Sequence, residues 1–196
     1  GCQMNEADSE KMAGILCAEG YRLAGSPEEA DVILINTCSI RDKAEQKAFS
    51  LAGRFGQIKR RRPGTLLVLT GCVAQKLGAR VLERLPAVDA VIGTARMAGL
   101  PALLERVRAT GKPEVDTDEA SAGEHPAAPV RASRIKAWAS VMFGCDNHCA
   151  YCVVPFVRGR ERSRRPTEVL AEVAALGRDG VREVTLLGQN VNSYGR

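Results

Sequence analysis

The sequence has 196 residues, enough for one full domain and part of a second. Apolar residues make up 45%, yet no run approaches the roughly 18 that a membrane span needs, which excludes an integral membrane protein. Aromatic residues, at 4%, argue against a base-stacking platform. The net charge of +5 is carried by residues 131–196, with 11 basic and 6 acidic side chains, because residues 1–130 balance at 17 each.

In chain order, the sequence opens GCQMN, without an initiator Met or a secretory segment, so its natural start is expected upstream. Ser9–Glu19 reads as a helix directly after Cys2, and a strand before Cys2 is expected outside the sequence. Asp31–Ile35 (DVILI) is a short β-branched run of the kind buried in a parallel sheet. Ala44–Ile58 follows as an amphipathic helix, Leu66–Leu69 as a strand and Gln75–Leu85 as a helix. Val88–Ile92 is a further strand and Leu100–Ala109 a further helix. This alternation predicts a doubly wound α/β domain over residues 1–110.

Residues 111–134, with Gly and Pro among acidic residues and alanines, read as a linker. From 135 the pattern restarts: a strand at Ile135–Phe143, a Cys-rich loop, a helix near Thr167–Leu176 and a strand at Glu183–Leu187. Residues 135–196 thus read as the beginning of a (β/α) barrel, too short to close one. The sequence is therefore expected to be cut at both ends. Two basic runs stand out, Lys59–Arg62 and Arg158–Arg165 (RGRERSRR). Either suits a phosphate-bearing partner, and a solvated surface explains either one nearly as well.

Seven cysteines without a secretory segment point to a reducing cytoplasm and to thiolate ligands rather than bridges. Cys145, Cys149 and Cys152 form a C-x3-C-x2-C loop with an aromatic residue, Tyr151, before the last cysteine. Structural zinc normally takes four ligands, and only His148, awkwardly placed between two of the cysteines, could complete the set. A [4Fe–4S] cluster bound by three cysteines keeps one iron open, and this spacing is the signature of radical S-adenosylmethionine (SAM) enzymes. A second trio, Cys2, Cys38 and Cys72, is spread at intervals of one βα unit, each just past the strand of its unit. Loops after parallel strands leave the same sheet edge, so these three can converge; three unrelated buried thiols are the plain alternative. Cys17, mid-helix beside Ile15 and Leu16, reads as a core or boundary residue.

The blocks GCQMNEADSE, ADVILINTCSIRDKAEQKAFS, GCVAQ, GCDNHCAYCVVPFVRGRERSR and LLGQNVNSYG together resemble the methylthiotransferase family of radical SAM enzymes. The resemblance runs over nearly the whole sequence and is weakest at 111–134. It implies an N-terminal methylthiotransferase domain, a radical SAM partial barrel, and a C-terminal RNA-binding TRAM domain lying outside this sequence. It further implies two [4Fe–4S] clusters, an auxiliary one on Cys2, Cys38 and Cys72 and a radical SAM one on Cys145, Cys149 and Cys152. Tyr151, Gln189 and Asn190 fall where SAM contacts are expected, and Arg158, Arg160, Arg162 and Arg164 where a tRNA anticodon stem–loop would arrive.

In the family chemistry, one SAM methylates a cluster-bound sulfur. Another yields a 5′-deoxyadenosyl radical that abstracts the substrate hydrogen. GCQMN, TCSIRDKAEQK and GQNVNSY favour the branch acting on N6-(dimethylallyl)adenosine beside the anticodon. The other branches act on a ribosomal-protein aspartate or on threonylcarbamoyladenosine. A monomer served by an electron donor such as flavodoxin or ferredoxin is implied, and these 196 residues alone are expected to be inactive. Outside the enzyme class, a zinc- and RNA-binding module is the alternative.

Overall fold

The computed structural model describes residues 1–39, 42–119 and 127–196. Helix α1 (Gln3–Ala18) leads into β1 (Val32–Thr37), α2 (Asp42–Arg61), β2 (Leu66–Gly71), the short helices α3 (Cys72–Leu77) and α4 (Arg80–Arg84), β3 (Ala90–Ile92), α5 (Leu100–Thr110) and β4 (Glu114–Asp116). The four strands form one parallel sheet in the order β1-β2-β3-β4.

Side chains alternate across a strand, and here both faces are buried. Ile33, Ile35, Leu67, Leu69 and Val91 face one core with Ala48 and Ala52 of α2 and Val81 of α4. Val68, Ala90 and Ile92 face the other, against Met12 and Leu16 of α1 and the Leu100, Leu103, Leu104, Val107 stripe of α5. Each fully buried leucine or isoleucine contributes about 2 kcal/mol. The α/β architecture with helices on both faces is the one expected from the sequence.

Several boundaries differ, for identifiable reasons. α1 starts at Gln3, six residues before the expected Ser9, because Asn5 and Asp8 turn inward and hide the apolar stripe. The helix expected over Gln75–Leu85 is broken at Gly78, whose N–H closes α3 by donating to Ala74 O at 2.9 Å. Part of the expected linker is sheet: Glu114–Asp116 pairs in parallel with β3. Its three residues have no apolar run, and backbone hydrogen bonds place it. Residues 127–132 lie along α1, Val130 N–H donating to Glu10 O at 2.9 Å and Ala132 N–H to Glu10 Oε1 at 3.0 Å. Residues 120–126 of the expected linker lie outside the described residues.

Beyond the linker come β5 (Lys136–Ser140), β6 (Met142–Phe143), α6 (Val154–Arg158), β7 (Arg162–Ser163), α7 (Pro166–Arg178) and β8 (Glu183–Leu187). β5 pairs in parallel with β8, and β6 pairs antiparallel with β7. The single strand expected over Ile135–Phe143 is therefore two. At Val141 the chain turns from one sheet to the other, its N–H bonding Leu187 O and its carbonyl accepting from Arg164 N–H, both at 2.9 Å. Among the described residues no helix is long and apolar enough to cross a membrane.

Candidate metal centre

Thr37 sits opposite Gly71 in the β1–β2 register, so Cys38 and Cys72 leave the sheet side by side at its carboxyl edge. Cys2 is the N-cap residue of α1. The amide of Asn5 ties that end of α1 to β1, donating to Thr37 O at 3.2 Å. The three cysteines line one cavity of ≈ 250 Å³, whose other walls include Val157, Arg158 and Gln189 from the later chain. Residues 36 and 34 positions apart in sequence are thereby brought together.

Thr37 fixes Cys72 from the neighbouring strand. Its hydroxyl donates to Thr70 O at 2.5 Å and accepts from Val73 N–H at 3.1 Å and Ala74 N–H at 3.4 Å, capping α3, whose first residue is Cys72. Gly71 makes the close approach possible: its φ is +88°, and a Cβ there would stand 2.2 Å from Thr37 O.

Burial pushes the Cys72 thiol up in pKa, the charge and hydrogen bond of Arg158 oppose the rise, and Cys38 and Asp8 add to it. The Arg158 side chain is 9% exposed and that of Asp8 7%, with Nη2 2.7 Å from Oδ2. Neither atom completes a hydrogen bond, so the contact is an ion pair. Burial alone would lower the guanidinium pKa, but the charges of Asp8 and Cys72 outweigh it and raise it.

The other cysteines sit on the loop between β6 and α6, Cys145 buried, Cys152 half-buried and Cys149 exposed. Asp146 pins this loop to the turn before β7: its carboxylate accepts from Arg160 Nη2 at 3.1 Å and from Glu161 N–H at 3.0 Å. The Arg160 hydrogen bond, followed by the Glu161 one, holds that carboxyl below its ordinary pKa. His148, the candidate fourth zinc ligand, is exposed.

Among the described residues no three His, Cys, Asp or Glu side chains gather around a single ion. The cavity shared by Cys2, Cys38 and Cys72 suits a wider group. A four-iron cluster takes thiolate ligands and responds to nearby charge and hydrogen bonds. Three thiols, one buried cation and Gln189 Oε1, buried without a hydrogen-bond partner, fit such a group.

The four arginines expected at tRNA divide into two pairs. Arg158 is buried as described. Arg164, 17% exposed at its side chain, is held by Glu172 Oε2 at 2.5 Å and donates to Ser140 O at 2.8 Å. Both charges are taken up inside the fold, which no charge count could supply, since Asp8 lies 150 residues before Arg158 and Glu172 within the following helix. Arg160 is 91% exposed, and Arg162 lies over the Phe143 ring at 5.5 Å with Lys11 at 5.9 Å. Both line a cleft of ≈ 500 Å³ with Lys11 and Phe143. The earlier basic run serves the fold: Lys59 pairs with Asp89, and Arg62 with Asp31 at 3.0 Å.

Tyr151 is 91% exposed and is not among the residues lining the cavity of Cys2, Cys38 and Cys72. Asn190 caps the turn Val191–Ser193, accepting from Ser193 N–H at 3.0 Å, while its neighbour Gln189 enters the cavity. Cys17 is half-buried, as its boundary reading implied. Asp8, Asn5 and Thr37 escaped sequence reasoning. The one available signal was that Thr37 and Gly71 each precede a cysteine in equivalent units.

Comparison with known proteins gives two family matches. Residues 1–93 match the uncharacterized protein family UPF0004, and residues 139–196 match the radical SAM superfamily. The chain joins a UPF0004 domain to the start of a radical SAM domain. It is 45% identical over 199 residues to a Clostridium novyi protein, covering 100% of the chain and 44% of that relative. It is 50% identical to proteins of Methylococcus capsulatus and Ralstonia nicotianae, covering 99% of the chain and 43% of each. All three relatives are named tRNA-2-methylthio-N(6)-dimethylallyladenosine synthase. The radical SAM methylthiotransferase resemblance is thereby borne out, and the other family branches and the zinc module are not favoured. The chain spans less than half the length of these relatives.

Proposed function

We propose that the protein carrying this UPF0004–radical SAM pair is a tRNA methylthiotransferase that converts N6-(dimethylallyl)adenosine at position 37, beside the anticodon, to its 2-methylthio derivative. The observation that carries the reading is the cavity gathering Cys2, Cys38 and Cys72 next to a domain with its own C-x3-C-x2-C loop. The relatives' shared name supports the substrate.

Adenine C2–H is not acidic, so no side-chain base could remove it, and the chemistry must come from a cofactor that the protein aims. When bound, two iron–sulfur clusters and SAM supply hydrogen-atom abstraction and the methylthio group. Cys2, Cys38 and Cys72 hold one set of irons, Cys145, Cys149 and Cys152 the other. Each trio leaves one coordination position for an outside ligand. Gln189 is a SAM contact in this reading, and its buried, unpartnered Oε1 supports a polar ligand beside it. Tyr151 and Asn190 belong to the same proposal more remotely. An electron donor of flavodoxin or ferredoxin type, a monomeric state and a cytoplasmic location complete it.

Arg160 and Arg162 carry the tRNA contacts in this reading, with Lys11 on the same cleft. Replacing both with glutamine in the full-length protein is expected to weaken tRNA binding and reduce the slope of log K against log salt by about 1.5. Arg164→Gln is expected to leave the slope alone. A slope unmoved by the double change would remove these two residues from the interface. Nucleoside mass spectrometry of tRNA tests the function itself. Cells lacking the gene should accumulate N6-(dimethylallyl)adenosine and lose its 2-methylthio form, and an unaltered nucleoside profile sinks the proposal.

A further inference from the structure

Arg158 is out of place for a surface arginine. It ends α6, a five-residue helix that starts two residues after Cys152, and its side chain runs back into the UPF0004 domain. There its guanidinium meets Asp8 at 2.7 Å and bears on Cys72, on the wall of the cavity lined by the first trio. Nη2 pairs with Asp8 Oδ2 and the guanidinium also bears on the Cys72 thiol, so a buried cation stands at the cavity wall. A buried cation favours negative charge close by beyond its one carboxylate. Gln189 contributes an unpartnered acceptor to the same wall.

We propose that Arg158 is the positioning residue of this centre, a cation delivered by the radical SAM domain that fixes Cys72 and offsets the negative charge the three thiolates and their cluster collect. The inference rests on the reading that Cys2, Cys38 and Cys72 hold an iron–sulfur cluster. It also gives the helix after the second trio a purpose. One short element carries Cys152's loop at its start and reaches Cys72 at its end, so the two ligand sets are held in fixed relation.

A purely structural lock would change stability without moving the electrostatics of the bound group. The test uses full-length protein with Cys145→Ala, Cys149→Ala and Cys152→Ala, which retains one ligand set, reconstituted anaerobically with ferrous iron and sulfide. Iron per chain and the midpoint potential are then read by EPR-monitored titration with mediator-coupled dithionite as the electron source. Arg158→Gln in this background is expected to disfavour the reduced form about tenfold, about 59 mV for one electron. Arg158→Lys should recover most of that shift. Asp8→Asn removes the neighbouring anion and leaves the cation, so it should move the potential the other way. It also stands as the test if Arg158→Gln does not fold. Potentials unchanged in the folded variants, with about four irons bound, overturn the role of Arg158 and leave the cluster assignment standing. A parent protein that binds no iron overturns both.

Discussion

Cys38→Ala or Cys72→Ala in the full-length protein is expected to lower reconstituted iron from about eight to about four per chain. Methylthiolated product should then fall below detection, while SAM cleavage to 5′-deoxyadenosine persists. The expectation follows from the separation of the two ligand sets. Cys38 and Cys72 stand at the ends of paired strands in one cavity, and the C-x3-C-x2-C loop follows β6 and is anchored by Asp146 to the turn before β7. Losing a thiolate from one set leaves the other intact. Cys145→Ala is the converse case and should stop SAM cleavage as well. Cys2 lines the same cavity from the N-cap of α1, and its loss should lower iron in the same way. Iron near eight in both Cys38→Ala and Cys72→Ala would show that this cavity holds no cluster.

Gly71→Ala should destabilise the UPF0004 domain by about 4 kcal/mol, from a left-handed φ and a clash with backbone together. The added Cβ would stand 2.2 Å from Thr37 O and 2.8 Å from Thr37 N, backbone atoms not free to retreat because Thr37 belongs to β1 and its hydroxyl caps α3. Gly20→Ala separates the two causes. Gly20 also has a positive φ, +86°, but nothing lies within 4 Å of a Cβ there, so its replacement should cost only the backbone component, about 1–2 kcal/mol. Denaturant midpoints at equal m-value measure both. Equal losses at the two sites would mean that the β1–β2 edge yields, and that Cys72 is placed less firmly than described.

The parts of the molecule that can be read along the chain are those whose cause is local. DVILI and LLVL announce buried parallel strands by composition, and the place of Cys38 and Cys72 just past them locates a shared edge. What escapes has its cause elsewhere in the fold. The Glu114–Asp116 strand lacks an apolar signature because β3 supplies its partner groups. RGRERSRR reads as one basic strip, yet Asp8 and Glu172 withdraw Arg158 and Arg164 from the surface and leave Arg160 and Arg162 exposed. The Thr37 cap is invisible for the same reason, since the helix it closes begins on the next strand.

The stretch that follows β4 is held again where residues 127–132 lie along α1, with Ala128 O so near Gly14 that a Cβ there would come within 2.1 Å of it. Helix α1 thus grips the later chain twice, through Glu10 and Gly14 by residues 127–132 and through Asp8 by Arg158. A bulky residue at Gly14 would push residues 127–132 off the helix, and because Asp8 stands on that same helix, the change is expected to shift Arg158 at the cavity of Cys2, Cys38 and Cys72 without touching any ligand.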